Sequence, residues 1–308
     1  MNIQNVFESR MNRRRLLGNM GMVGAGAVLG SYGFNAQAQD LSPELDAKIL
    51  NFALNLEYLE AEFYLRAVTG EGLDDSLIGD DPGEVIGGQK VEFESEAVRE
   101  YAVEIAKDEE AHVRFLREAL GDEAVSRPKI DLENSFTAAA RFIGIIPEYE
   151  TLNHFKSENL FLVGSFLFED VGVTAYRGAA PFVSDGGVLS AAAGILAVEG
   201  YHAAEVRTLL YSRRESLADN VVVEDLIKKV SDARDTLDGE GDLDQGIVND
   251  NPFDTMSNIV PTNANSLVFA RTPLQVLNIV YLDPTGQATP GGFFPDGLNG
   301  DFSGVPSL

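Results

Sequence analysis

Two of the three histidines in the chain follow a glutamate by three residues: His112 follows Glu109, and His202 follows Glu199. Three residues are nearly one turn of a helix, so each pair puts a carboxylate and an imidazole on one helix face. These groups are ligands for divalent transition metals. One such pair would also fit a half-buried histidine beside a surface glutamate. Two pairs, each in a long amphipathic segment, favour a metal site.

A second pattern repeats in step with the first. Glu57 has Tyr64 seven residues later, and Glu169 has Tyr176 at the same spacing. In each half of the chain this segment comes before the segment that carries the glutamate–histidine pair. The repeat predicts two similar helical hairpins that face each other about a pseudo-two-fold axis.

Composition excludes several other kinds of site. The 308 residues contain no cysteine, which rules out disulfides, iron–sulfur clusters and cysteine nucleophiles. The net charge of −26 argues against binding to nucleic acid or to anionic membranes. The hydrophobic fraction of 44% is enough for a large core. The length fits one large domain or two modest ones.

The first 38 residues have the layout of a secretory signal peptide. Three consecutive arginines, residues 13–15, precede an apolar run over 16–29 and an Ala-x-Ala site at 36–38. The arginines with Leu16 and Leu17 resemble a twin-arginine export signal, and a general secretory signal with a basic head is the alternative. The run is shorter than the roughly 20 residues that span a bilayer. We therefore expect a periplasmic or extracellular protein, cleaved after Ala38, without membrane insertion.

Apolar periodicity predicts four long helices in the remaining chain. The turn between the third and fourth is short, whereas the second and third are separated by a long stretch with a short helix near 136–145. This pattern predicts an all-α bundle over 39–214 with one long crossover. The predicted long helices cover residues 43–69, 95–120, 154–177 and 189–212.

The C-terminal residues 215–308 read as an extension that packs on the bundle. A helix is predicted over 224–237, followed by an acidic loop over 239–265. Thr272, Pro273 and Gln275 form a capping box that opens a short helix to about residue 281. The Gly-, Phe- and Pro-rich end from 291 is expected to be irregular.

The two glutamates and two glutamate–histidine pairs resemble the ferritin-like di-metal carboxylate superfamily. With the export signal and the tail sequences at 270–281 and 291–295, the chain is similar to secreted ferritin-like proteins related to plant desiccation-associated proteins. The resemblance implies a ferritin-like four-helix bundle over about 41–214 and six metal ligands. Those ligands are a terminal glutamate on each metal (Glu57, Glu169), two bridging glutamates (Glu109, Glu199) and a histidine on each metal (His112, His202).

The implied cofactor is a pair of divalent cations. Four buried carboxylates without counter-charge would be too costly, and two divalent ions neutralise them. Oxygen-rich ligands with one imidazole per metal suit iron or manganese, and zinc is the alternative from its general affinity.

Three neighbouring side chains leave alternatives open. Glu60 lies one turn beyond Glu57 and is either an extra ligand or the true one; the repeat favours Glu57, because Gly172 is the counterpart of Glu60. Tyr64 and Tyr176 are either groups that act behind the ligands, as hydrogen-bond donors or radical sites, or core aromatics with a satisfied hydroxyl.

Other ionisable residues are not expected at the site. Glu62 and Glu110 are expected to be solvated, and His154 is not expected to be a ligand. Arg117 and Arg207 either pair with outer carboxylates or lie on the surface. A calcium site is not expected, because the glycine position does not fit an EF-hand loop at three acidic residues, Glu240, Asp242 and Asp244.

Two functions remain open at this point. One is a di-iron or di-manganese oxidoreductase that reacts with O₂ or peroxide, as a ferroxidase or a peroxide scavenger. Oxidation of an organic substrate ranks lower because no substrate-binding motif is visible, and the residue set is less similar to that of a manganese catalase. The other is a non-enzymatic acidic envelope protein for desiccation or other stress, with a structural or vestigial metal site. Either is compatible with a homo-oligomer.

Overall fold

A computed structural model describes residues 41–249 and 257–308. The predicted signal peptide and part of the predicted acidic loop lie outside these ranges. The described residues form seven helices: α1 (Pro43–Thr69), α2 (Glu96–Leu120), α3 (Asn134–Phe142), α4 (Glu158–Ala179), α5 (Gly186–Ser212), α6 (Val223–Asp238) and α7 (Pro273–Val280). Short strands are β1 (Val85–Ile86), β2 (Ile130–Asp131), β3 (Leu217–Ala218) and β4 (Val221–Val222).

Local sequence signals set the helix ends. The Ser42 hydroxyl accepts a hydrogen bond from the Leu45 N–H at the start of α1, and Gly70 ends it in the left-handed conformation, with φ 91°. Ser95 caps α2 in the same way as Ser42. The predicted capping box at Thr272 and Gln275 is present at the start of α7. These caps explain why the helix limits were close to the predicted ones.

The four long helices form two hairpins, α1 with α2 and α4 with α5, which pack against each other through α1–α4 and α2–α5 contacts. The crossover between α2 and α4 carries β2 and α3. The prediction of an all-α bundle with one long crossover and a largely irregular C-terminal extension is confirmed. The core is rich in aromatic rings, with Phe63 stacked on Phe161 at a centroid distance of 5.4 Å.

Two helix starts differ from the predictions. Residues 154–156 form a separate 3₁₀ turn, and Ser157 is extended and caps α4, so α4 begins at residue 158 rather than 154. The Asp185 carboxylate accepts hydrogen bonds from the Gly187 and Val188 N–H groups, so α5 begins at residue 186 rather than 189. In both cases a polar side chain sets the limit where apolar periodicity gives no signal.

The short strands were not predicted. Parallel pairing of β1 with β2 ties the loop after α1 to the crossover, and β3 and β4 form a small antiparallel hairpin before α6. Two-residue strands carry too little alternation to be seen in a sequence.

Three fully buried arginines join the C-terminal residues to α4 and α5. Arg207 and Arg234 each lie 2.8 Å from Asp170, and Arg271 lies 2.8 Å from Asp238. Asp244 pairs with both Arg234 and Arg271. We call these six residues the arginine network: Asp170, Arg207, Arg234, Asp238, Asp244 and Arg271.

Close backbone packing accompanies this network. A Cβ at Gly178 of α4 would lie 1.9 Å from the carbonyl oxygen of Arg271, so only glycine allows this approach. Phe293, near the C-terminal end of the chain, packs edge-on against Phe136 of α3 and Phe168 of α4.

Among the residues described here, no helix has both the length and the apolar character needed to cross a membrane.

Candidate metal centre

All six residues that the sequence singled out as ligands are buried in the middle of the bundle. Each of the four long helices contributes at least one of them, and none has more than 8% of its surface exposed. They are Glu57 on α1, Glu109 and His112 on α2, Glu169 on α4, and Glu199 and His202 on α5.

These side chains form two overlapping groups of four, which we call the carboxylate centre. In each group one potential ligand atom per residue lies within 4.8 Å of the others. Glu109 and Glu199 belong to both groups, which is the position required of a carboxylate that bridges two ions. The first group adds Glu57 and His112, and the second adds Glu169 and His202.

Both imidazoles face the carboxylates through the same ring nitrogen. His112 Nδ1 lies 3.1 Å from Glu57 Oε2 and 3.4 Å from Glu109 Oε2. His202 Nδ1 lies 3.0 Å from Glu109 Oε1 and 3.5 Å from Glu169 Oε2. Each terminal glutamate therefore meets the histidine of its own hairpin, while Glu109 reaches both rings.

Each of the two tyrosines of the repeat donates a hydrogen bond to a glutamate of the opposite hairpin. The Tyr64 hydroxyl donates to Glu169 Oε1 at 2.5 Å, and the Tyr176 hydroxyl donates to Glu57 Oε1. Burial, and then the neighbouring Glu169 and Glu57 respectively, raise the pKa of both tyrosines well above the ordinary value, so both remain donors. They are at once core aromatics and hydrogen-bond donors to the candidate ligands, so the two alternatives coincide.

The carboxylates titrate unevenly. Burial raises the pKa of Glu57 to about 7 and, together with neighbouring carboxylates, raises that of Glu199 well above its ordinary value. Burial acts in the same direction on Glu109, but the interactions with His112 and His202 outweigh it and lower its pKa to about 2. Burial lowers the pKa values of His112 and His202, but the carboxylates prevail and raise them to about 11 and 12.

Several oxygen and nitrogen atoms in the centre have no hydrogen-bond partner. They are Glu109 Oε1, Glu169 Oε2, both Glu199 oxygens and His202 Nδ1. His202 Nδ1 and Glu109 Oε1 are 3.0 Å apart but lack hydrogen-bond alignment. Buried polar atoms are almost always paired. Unpaired atoms that converge from two hairpins, with carboxylates in excess over imidazoles, are the donor set that a divalent cation requires.

Glu60 is buried beside the centre but belongs to neither group of four. A Cβ at Gly172 would lie 2.1 Å from Glu199 Oε2 and 3.3 Å from Glu60 Oε1, so this glycine leaves room for both carboxylates. Burial and the neighbouring carboxylates raise the pKa of Glu60 well above its ordinary value. It is also the only ionisable residue in the lining of a small apolar cavity between α1, α4 and α7.

The family model that matches the chain is that of the ferritin-like domain, over residues 45–212. The chain belongs to this family. The match spans all four helices of the bundle, so the predicted resemblance to ferritin-like proteins is confirmed.

Two curated relatives extend the similarity beyond the bundle. The ferritin-like catalase Nec2 of Nesocodon mauritianus is 30% identical over 83% of this chain and 84% of the relative. The desiccation-related protein PCC13-62 of Craterostigma plantagineum is 31% identical over 80% of this chain and 81% of the relative. Among solved structures, none gives a significant match.

In this ferritin-like chain, one side chain does not lie where the sequence suggested. Glu62 was expected to be solvated, but it is fully buried and pairs with Arg66 at 2.8 Å and with Arg127. Arg207 follows the first of its two alternatives, because it is buried in the arginine network and pairs with the Asp170 carboxylate. Their partners Arg127 and Asp170 lie 65 and 37 residues away in the chain, so no local pattern reveals them.

The remaining expectations can be compared directly. Glu110 is partly exposed and pairs with Arg114. Arg117 donates to the Tyr58 hydroxyl at 2.6 Å rather than to a carboxylate. His154 lies outside both groups of four and stacks on Phe136 at a centroid distance of 4.1 Å.

The acidic residues after α6 form no calcium loop. Glu240 and Asp242 are exposed, whereas Asp244 is buried and paired with Arg234 and Arg271.

Sequence reasoning missed one residue next to the centre. Asp108 Oδ2 lies 3.2 Å from His202 Nε2, on the side of the ring opposite the carboxylates. Asp108 precedes Glu109 in the chain, but its partner His202 is 94 residues away. The signal that could have found it is the comparison between the two repeats, which have Asp108 and Val198 at equivalent positions.

Proposed function

We propose that the carboxylate centre binds two iron or manganese ions and that the loaded protein converts hydrogen peroxide to O₂ and water. The observation that carries the proposal is the pair of overlapping buried ligand groups that share Glu109 and Glu199. Terminal ligation by Glu57 and Glu169, with one histidine on each metal, completes the proposed set.

Two redox-active ions would supply the two-electron exchange, in which one peroxide is reduced to two waters and a second is oxidised to O₂. The protein's part is to hold the ligands and control protons. Tyr64 and Tyr176 fix the carboxylates of Glu169 and Glu57 by hydrogen bonds, which limits their rotation. Burial of all four glutamates keeps bulk water away from the centre.

Glu60 is the group proposed to hold a proton near the reacting molecule. Its carboxyl forms part of the wall of the apolar cavity and has no cationic partner among the described residues. A buried carboxyl that retains its proton can donate that proton to the peroxide being reduced. It can then be reprotonated by the peroxide being oxidised.

The name of the first relative supports peroxide as the substrate, since it is a ferritin-like catalase with matching coverage of both chains. The name of the second, a desiccation-related protein, supports a role in stress protection. Removal of peroxide would account for both the substrate and the role in stress protection, because oxidative damage accompanies water stress. An acidic structural protein without turnover is the competing function.

The test is O₂ evolution from peroxide by the metal-loaded protein, followed with an oxygen electrode. Wild type should release one O₂ for every two peroxides consumed. The double variant Glu109→Gln/Glu199→Gln should release O₂ only at the rate of the buffer. Glu110→Gln is the matched control, since that side chain lies next to Glu109 but pairs outward with Arg114.

Two other results would replace the proposal. Metal-dependent oxidation of added Fe(II) without O₂ release from peroxide would indicate a ferroxidase. A protein that binds metal, gains melting temperature and shows neither activity would indicate the acidic structural function. Zinc in the centre would also lead to that result, because zinc has no redox chemistry.

We also propose export by the twin-arginine route, supported by the arginine run at 13–15, the apolar run and the small-residue site before residue 39. Replacing all three arginines by lysine should leave the uncleaved chain in the cytoplasm. Normal export of that variant would favour the general secretory route.

A further inference from the structure

The two halves of the carboxylate centre differ on the outer side of their histidines. His202 Nε2 lies 3.2 Å from Asp108 Oδ2. His112 Nε2 has no hydrogen-bond partner within residues 41–249 and 257–308, although its Nδ1 faces the centre just as that of His202 does. The His112 side chain is 10% exposed and that of His202 is 5% exposed.

The difference originates in the sequence repeat. Asp108 directly precedes Glu109, and the equivalent residue before Glu199 is Val198. A carboxylate on α2 therefore contacts the histidine of α5, whereas the equivalent position on α5 has an aliphatic side chain. Such a one-sided substitution breaks the pseudo-two-fold symmetry that the ligands themselves keep.

A carboxylate behind a ligating histidine has a defined effect. It accepts a hydrogen bond from the N–H of the outer ring nitrogen, which fixes the tautomer and the ring orientation and makes the inner nitrogen a better donor to the metal. By holding the proton on Nε2, Asp108 would leave Nδ1, the ring nitrogen that faces Glu109 and Glu169, as the atom that binds a metal. His112 receives no such help from the described residues.

We propose that the two metal positions are unequal, and that Asp108 makes the position at Glu169 and His202 the first to fill and the tighter one. Asp108 is a positioning residue, since it acts through His202. The position at Glu57 and His112 is then the more readily exchanged. This inference rests on the proposed metal centre, and the experiment separates the two.

The experiment is calorimetric titration of the metal-free, full-length mature protein with Mn(II) under argon. Wild type should bind in two resolved steps. His202→Ala should remove the tighter step and His112→Ala the weaker one. Asp108→Asn and Asp108→Ala should weaken the tighter step by about 10–100-fold and leave the weaker step unchanged.

Two further variants sharpen the result. Glu118→Gln removes one exposed charge from the same helix and should change neither step. Val198→Asp supplies the missing carboxylate and should tighten the weaker step, so that the two steps converge. Far-UV circular dichroism and the melting temperature of each metal-free variant report whether it is folded.

The inference is overturned if wild type binds two Mn(II) ions with equal affinity, or if both Asp108 variants bind like wild type. It is equally overturned if His112→Ala loses the tighter step. If folded wild type binds no Mn(II), iron or zinc at all, the proposed function itself has failed. Two bound ions with no effect at Asp108 would leave the proposed function intact.

Discussion

The arginine network and the carboxylate centre are both buried clusters of charged residues, but only the network contains as many arginines as acidic residues. The network has three arginines and three aspartates, and every one of its aspartates contacts an arginine. The centre has four glutamates and only two histidines, with five atoms left unpaired, against two in the network, Arg234 Nε and Asp238 Oδ1. Both draw residues from α4 and α5, at neighbouring positions such as Glu169 and Asp170.

The difference shows how a structural ion cluster can be told from a ligand site. A buried cluster that supplies its own counter-charges links parts of the fold, here the C-terminal residues to α4 and α5. A buried cluster with surplus carboxylates and unpaired inward atoms requires charge from outside the chain. Metal dependence should therefore follow the second cluster and not the first.

The largest effect should come from Gly172→Ala. The added methyl would lie 2.1 Å from Glu199 Oε2, so the shared carboxylate must move. We expect metal affinity at both positions to fall by about 100-fold, measured by Mn(II) titration. Gly200→Ala, where a Cβ meets nothing within 4 Å, is the control and should bind like wild type.

The arginine network should respond in stability alone. Asp244→Ala leaves Arg234 and Arg271 short of a partner, and breaking a buried ion pair costs about 3–5 kcal/mol. We expect that loss in the free energy of unfolding by urea, with metal content per folded chain unchanged. The exposed neighbour Asp242→Asn should cost less than about 0.5 kcal/mol. Loss of metal from a folded Asp244→Ala chain would erase the distinction between the clusters.

Glu60 belongs to neither cluster and tests the proton-transfer role. Glu60→Gln keeps the size and burial of the side chain but removes the exchangeable carboxyl proton. Peroxide turnover should fall by about 100-fold with metal content unchanged, as expected for a lost general acid–base group. A variant that loses metal instead would show that Glu60 is a ligand.

Near neutral pH His154 provides the smallest effect, and its surroundings contrast with those of the two histidines of the centre. Burial, and to a lesser extent Lys156, lower its pKa to about 3, whereas carboxylates raise the pKa values of His112 and His202. In the unfolded chain its pKa is about 6.5, so between those values the unfolded state binds the extra proton.

Wild type should therefore lose stability relative to His154→Phe as the pH falls from about 6.5 toward 3, by up to about 1.4 kcal/mol per pH unit. Phenylalanine keeps the stacking on Phe136. Parallel pH profiles of the unfolding free energy for the two proteins would show that the imidazole is charged in the folded state.

Much of this arrangement could be predicted because its signals are local or repeated. Ser42, Gly70 and Thr272 mark helix ends through contacts within four residues. The repeat of Glu57 and Glu169 identified side chains that the fold then brings into one centre. The spacing of residues along a helix determines which face of the helix carries a side chain, and equivalent faces of the two hairpins pack against each other in the bundle.

The rest depends on contacts between distant residues. The pairing of Glu62 with Arg127, and the reach of Asp108 to His202, follow from how the bundle packs rather than from neighbouring residues. In a very acidic chain the sequence around a buried carboxylate does not differ from that around an exposed one. The packing of the bundle determines which carboxylates become buried.

The most direct test of the central claim is metal content by mass spectrometry on the protein purified from its own host, beside Glu109→Gln/Glu199→Gln and Glu110→Gln. We expect about two iron or manganese ions per chain in wild type and in Glu110→Gln, and almost none in the folded double variant. Equal metal content in all three proteins, or none in any of them, would contradict the claim that the surplus carboxylates form a metal centre.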